Sequence, residues 1–150
     1  MTVVKKMMRA FLEFSEICEK VEIELDGLHS PRTVKAIVES LPLTMVIERW
    51  GDELYSEETQ VKVGEENAKA QVDLFDVAYW PKDSALCFFY GPTPISSKTG
   101  KVLPYSPVNI VGTIKSRPAD IGDFLQRVEE THVAKRMPVI LRRGQQTSIP

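Results

Sequence analysis

The sequence is poor in the residues that make covalent or metal cross-links. It holds two cysteines in 150 residues, Cys18 and Cys87, far apart and outside any C-x-x-C pair. A disulfide framework and a structural zinc site are therefore not expected, and both thiols are read as buried and reduced. The two histidines, His29 and His132, lie far apart with no ligand-like spacing, so neither a metal nor a cofactor is expected. A surplus of one charge is also missing. Nineteen Lys plus Arg against twenty-one Asp plus Glu leave a net charge of -2, which removes the general electrostatic case for a nucleic-acid or anionic-membrane partner. The basic cluster Lys135, Arg136, Arg142 and Arg143 is balanced by acids elsewhere. No stretch approaches the roughly twenty apolar residues of a membrane span. The N-terminal apolar run is broken by Glu13 and Glu16, so no signal peptide is read and the expected address is cytoplasmic.

What is present is a chain of 43% hydrophobic residues, long enough for one core, and a single domain over 1–150 is expected. Ten prolines outnumber eight glycines, and they punctuate a regular order of elements. Residues 7 to 18 fit either a helical stripe (Met7, Phe11, Phe14, Cys18) or a strand face (Met8, Ala10, Leu12, Phe14). The strict alternation of Val21, Ile23 and Leu25 with Glu22, Glu24 and Asp26 favours the strand, with Ser15 and Glu16 as the bend of a hairpin. Ser30 at a cap position, Pro31 in the first turn, and Val34, Ile37, Val38 and Leu41 on one face predict a helix that stops before Pro42.

Leu43–Arg49 and Glu53–Ser56 read as a second hairpin about Gly51-Asp52. Further strands are predicted at Val61 to Val63, Val72–Trp80, Ala85–Tyr90, Pro107–Ile114 and Pro138–Leu141. A second helix is predicted over Ala119–Glu130, with Asp120 near its positive end, and Arg142–Pro150 is read as a polar, fraying tail. So many short strands point to a mainly β barrel or sandwich with two helices. Between Gly91 and Pro107 lies one long irregular stretch holding four of the ten prolines around a Ser-Ser-Lys-Thr-Gly centre. A loop of that length is a binding loop or a tolerated insertion.

The order of features resembles that of the cyclophilins. The segment Glu24-Leu25-Asp26-Gly27-Leu28-His29-Ser30-Pro31-Arg32-Thr33-Val34-Lys35-Ala36-Ile37 is similar to the family stretch whose proline and threonine start the first helix. Ile110-Val111-Gly112-Thr113-Ile114 and Pro138-Val139-Ile140-Leu141 are similar to its closing strands. The centre is closer to a smaller group, the prokaryotic cyclophilin-like proteins with no assigned activity. Trp50-Gly51-Asp52-Glu53-Leu54-Tyr55, Val77-Ala78-Tyr79-Trp80-Pro81, the run Ala85 to Pro94, and Ser106-Pro107-Val108-Asn109 carry that likeness. It spans roughly residues 9–141 and implies a closed cyclophilin-like β-barrel of about eight strands with helices over its ends.

The same resemblance argues against prolyl isomerisation. Isomerases of this fold use an arginine in a Phe-His-Arg segment followed by Gln-Gly-Gly, and a histidine before the Val-Phe-Gly strand. None of these is present. Arg49 is the one candidate substitute, because a guanidinium near the prolyl amide would stabilise the twisted transition state. Cys87 lies in an apolar run that would raise its pKa rather than activate it. Asp52 and Glu53 point to opposite faces of an extended chain and make a poor acid and base pair.

The leading expectation is a module that binds a peptide or small ligand beside the long loop, on Trp50, Tyr55 and whichever of Phe88 and Phe89 faces outward, here taken as Phe89. Arg49, Thr93 and Asn109 are the candidate polar contacts. The runner-up is an atypical peptidyl-prolyl isomerase, and a third reading is a small-molecule enzyme or an enzyme subunit.

Overall fold

The computed structural model describes residues 7–96, 101–136 and 138–144. Eight antiparallel strands close into a barrel: β1 (Met7–Phe14), β2 (Glu19–Asp26), β3 (Leu43–Trp50), β4 (Glu53–Ser56), β5 (Asp76–Trp80), β6 (Ala85–Phe89), β7 (Asn109–Ile114) and β8 (Pro138–Arg143). Their order around the barrel is β1-β2-β7-β5-β6-β4-β3-β8, with β8 returning to β1. Helices α1 (Pro31–Ser40) and α2 (Ile121–Lys135) complete the fold.

Alternation along each strand fills the interior. Ala10, Leu12 and Phe14 of β1, Val21, Ile23 and Leu25 of β2, and Leu43, Met45 and Ile47 of β3 are buried together with Phe88 of β6. Phe124, Leu125 and Val128 of α2 join the same core, the Phe124 ring meeting Phe14 edge-on at 5.2 Å. β2 and β7 pair closely because Gly112 has no side chain: a β-carbon there would overlap the Glu24 carbonyl.

β6 differs from the other strands, for all five of its residues are buried. Its inner residues Leu86 and Phe88 belong to the barrel core. Cys87 and Phe89 face outward into a second apolar cluster with Val72, Ala78, Val102 and Val108. Two irregular segments supply that cover and are tied to each other. Lys69 and Val108 exchange backbone hydrogen bonds at 2.8 and 3.0 Å, and Val72 N–H donates to the Val102 carbonyl.

A glutamate far away in sequence starts α1. Pro31 has no N–H to satisfy, Val34 N–H donates to the Ser30 carbonyl, and the N–H groups of Arg32 and Thr33 donate to the Glu66 carboxylate at 3.1 and 2.9 Å. Thr33 Oγ1 adds a third donor at 2.8 Å and Arg32 Nε a fourth at 3.3 Å. Ser30 occupies the cap position expected of it, but its hydroxyl donates to the Glu66 carbonyl rather than capping the helix. Asn109, at the start of β7, completes the network. Its Oδ1 accepts from Glu66 N–H, and its amide donates to Thr33 Oγ1 and the Gly64 carbonyl.

Four expectations need correction. Val61 to Val63 forms no strand: the segment is held instead by the Tyr79 hydroxyl, which donates to the Val61 carbonyl and accepts from Val63 N–H. The strand predicted from Val72 starts at Asp76, because Val72 itself is bridged to Val102. Cys18 is exposed, since it follows the tight turn Ser15–Ile17 with a left-handed φ of 54°. Arg142 and Arg143 do not fray but extend β8, paired with Phe11 and Ala10. Residues 145–150, and the 97–100 part of the long loop, lie outside the described residues.

Burial raises the Glu66 pKa, and the donors from Thr33 and Arg32 outweigh it, leaving the carboxyl below its ordinary value. The stability it contributes is therefore present above the unfolded carboxylate pKa and is lost as pH falls through the folded one. Glu66→Gln, which places an amide where Arg32 donates, should cost about 1–3 kcal/mol near neutral pH. Urea unfolding should show that difference shrinking in acid, where wild-type Glu66 is itself protonated.

Candidate functional site

Outside the barrel, beside the second cluster, lies an open cavity of about 360 Å³. Its walls come from four strands and the covering segment. Glu48 and Trp50 project from β3, Glu53 and Tyr55 from β4, Trp80 and Cys87 from β5 and β6, and Tyr105, Ser106 and Val108 from the covering segment, with Asp83 at the rim. Strand alternation explains the selection: Glu53 and Tyr55 share the outer face of β4, while Leu54 between them is buried in the barrel.

The aromatic wall is continuous. The Tyr105 ring stands between the two indoles, 6.0 Å from Trp50 and 5.6 Å from Trp80, edge-on to each, and is itself 70% exposed. The segment that carries it is fixed at its base by Thr93, whose hydroxyl donates to the Leu103 carbonyl at 2.5 Å. Ser96 Oγ accepts from both Thr93 N–H and Leu103 N–H. On the opposite side the β3–β4 turn is locked against Pro92 and Pro94. Gly51 has a φ of +62°, a β-carbon on it would strike Pro94, and Asp52 N–H donates to the Pro92 carbonyl.

Polar groups in this wall lack protein partners. Among the described residues five buried side-chain polar atoms have none, and three belong to cavity residues: Glu53 Oε1, Trp80 Nε1 and Ser106 Oγ. Such atoms are rare in native proteins and costly, so finding three of them on residues that line one cavity is informative. Glu53 is only 5% exposed. Burial pushes its pKa up to about 7, only partly offset by a hydrogen bond with the Cys87 thiol. Burial raises the Cys87 thiol well above its ordinary value, and the nearby Glu53 carboxyl adds to this, so Cys87 stays an unreactive thiol. The Tyr55 phenol, half-buried and next to Glu48, is pushed up to about 12 by burial first and Glu48 second.

The six residues singled out from the sequence separate into two groups. Trp50 and Tyr55 line the cavity. Phe89 faces outward, as assumed, but is fully buried in the second cluster behind the cavity wall. Thr93 closes the base of the covering segment, and Asn109 serves the Glu66 network. Arg49 does not reach the cavity. Its guanidinium donates to the Gly51 carbonyl at 2.8 Å and pairs with Asp52 at 3.3 Å and with Glu129 of α2 at 3.1 Å.

Sequence reasoning passed over Glu53, because it was weighed only against its neighbour Asp52. A signal was present: a carboxylate in a strand two positions from a tyrosine. Among the described residues no cluster of three or more His, Cys, Asp or Glu is arranged to hold a metal, and no helix is long and apolar enough to cross a membrane.

The Glu53 environment has a measurable consequence. Between its unfolded value of 4.5 and its folded value of about 7 the native state keeps a proton that the unfolded chain has released. Stability should therefore fall as pH rises through that window and level off above it, by on the order of 3 kcal/mol in all. Glu53→Gln should remove this slope and be the more stable protein at alkaline pH. Thermal unfolding of both proteins across that range checks it, and parallel curves would contradict the assignment.

Comparison with known proteins agrees with the architecture. The family model described as Cyclophilin-like matches residues 8–135. The chain is similar to the solution structure of the hypothetical protein AF2241 from Archaeoglobus fulgidus, with 36% identity and a TM-score of 0.70, over 96% of this chain and 100% of that one. It also shares its fold with the structure of McbB in complex with tryptophan, with 17% identity and a TM-score of 0.61, over 94% of this chain and 46% of that one. No curated protein matches. With the family match running from β1 to the end of α2, the chain belongs to the cyclophilin-like family.

Proposed function

We propose that this protein is a binding module whose ligand, a small organic molecule or a peptide side chain, occupies the outer-face cavity. The observation that carries this reading is that three residues lining one aromatic-walled space of about 360 Å³, Glu53, Trp80 and Ser106, each carry a buried polar atom with no protein partner. Apolar walls with a few fixed polar groups are what a small-molecule site needs: area for affinity, and hydrogen bonds for orientation. The site is also preformed. Hydrogen bonds at Thr93, Lys69 and Val72 hold its cover in place, so little ordering cost is left to binding.

Isomerase chemistry through Arg49 is not part of this proposal, because two carboxylates and a carbonyl already engage that guanidinium outside the cavity. The reading is tested by titrating isotope-labelled protein with a fragment and proline-peptide panel and following amide and indole signals. Shifts should concentrate on Trp50, Trp80 and Tyr105, and Trp80→Ala should weaken the best binder on the order of tenfold or more. Shifts centred on Arg49 and α2, or no localised shift with any member of the panel, would reject it.

A further inference from the structure

The cavity is asymmetric in charge. Three carboxylates line it, from Glu48, Glu53 and Asp83, and no Lys, Arg or His is among its lining residues. Four aromatic side chains, Trp50, Tyr55, Trp80 and Tyr105, line it with them, and the electron-rich face of such a ring attracts a cation. Glu53 is the deepest acid, 5% exposed, with Oε1 unpartnered inside the protein. We propose that the cavity is selective for a small organic cation, an ammonium attached to a flat apolar group, with the ammonium seated against the Glu53 carboxylate and the flat group against the wall that Trp50, Tyr105 and Trp80 form. This deepens the binding-module reading and rests on it.

The surroundings of Glu53 support a cation over other ligands. From β3, Glu48 adds negative charge, although its Oε1 lies 3.3 Å from His132 Nε2 of α2. The β5–β6 turn adds Asp83, β6 adds only the neutral Cys87 thiol, and Tyr55 on the same strand stays a neutral phenol. The covering segment contributes Tyr105 and Ser106, neither of which is cationic. An anionic ligand would meet the Glu48 and Asp83 carboxylates, and above about pH 7 that of Glu53 as well, with no cationic side chain in the lining to compensate, which is costly in a partly desolvated site. A cation that seats on Glu53 must displace its proton below about pH 7, so binding should tighten as pH rises to that value and then level off.

The test uses three matched probes, 2-phenylethylammonium, 2-phenylethanol and phenylacetate, titrated by calorimetry and by NMR at the Trp50 and Trp80 indoles. The ammonium should bind at least tenfold tighter than the alcohol near pH 8, with phenylacetate weakest. Its affinity should fall about tenfold for each pH unit below 7. Glu53→Gln, confirmed as folded by its dispersed amide spectrum, should bind the ammonium at least tenfold more weakly and without that pH dependence. His132→Gln should retain the dependence. Alcohol or phenylacetate binding as tight as the ammonium, or a pH dependence that survives in Glu53→Gln, would overturn the cation proposal while leaving the cavity a ligand site. No response of the two indoles to any of the three probes would overturn the cation proposal, and the binding-module reading falls with it only if the fragment and peptide panel is also silent.

Discussion

The Glu66 carboxylate accepts four hydrogen bonds from Arg32 and Thr33 at the start of α1, while its own backbone N–H is held by Asn109 of β7. This contact joins a helix, a barrel strand and the long connection between β4 and β5 at one buried point. The connection then runs on to Lys69 and Val72, which pair with Val108 and Val102 of the second irregular segment. The outer faces of β5 and β6 are covered only because those two segments hold each other in place. The cavity lies beside that cover and borrows Tyr105, Ser106 and Val108 from it. A site on the side of the barrel thus depends on a helix cap at its end.

The two buried glutamates show how placement divides structural work from functional work. Glu66 is surrounded by donors and its pKa is held down; Glu53 has one weak thiol beside it and is pushed up to about 7. The first arrangement satisfies an acid and thereby fixes three elements. The second leaves an acid underserved, close to the point where it exchanges its proton near neutral pH, in a pocket with an aromatic wall. A protein keeps an unsatisfied buried carboxyl at a cost to its stability, and contact with a ligand is the use proposed for it.

Much of the fold was legible in the sequence because it rests on local rules. Alternation marked β1 and β2, Ser30-Pro31 and the spacing of Val34, Ile37 and Val38 marked α1, and the unbroken apolar run of β6 reflects a strand covered on both faces. The site was less legible, and the reason is physical. Asn109 and Thr93 are polar residues in suggestive positions, yet their hydrogen bonds go to partners distant in sequence that no periodicity reveals. Arg49 looked available because its partner Glu129 lies 80 residues away on α2. Glu53 looked like an ordinary polar residue at the start of a strand, because what distinguishes it is desolvation by segments that only the tertiary fold brings over it.

The most direct measurement is the ionisation of Glu53 itself in the ligand-free protein, followed through its side-chain carboxyl carbon by NMR across a pH titration. A midpoint of about 7 is expected if the cover formed by the two irregular segments keeps water from the carboxyl. A midpoint near the ordinary 4.5 would show a solvated, unexceptional surface acid and would contradict the cavity as described.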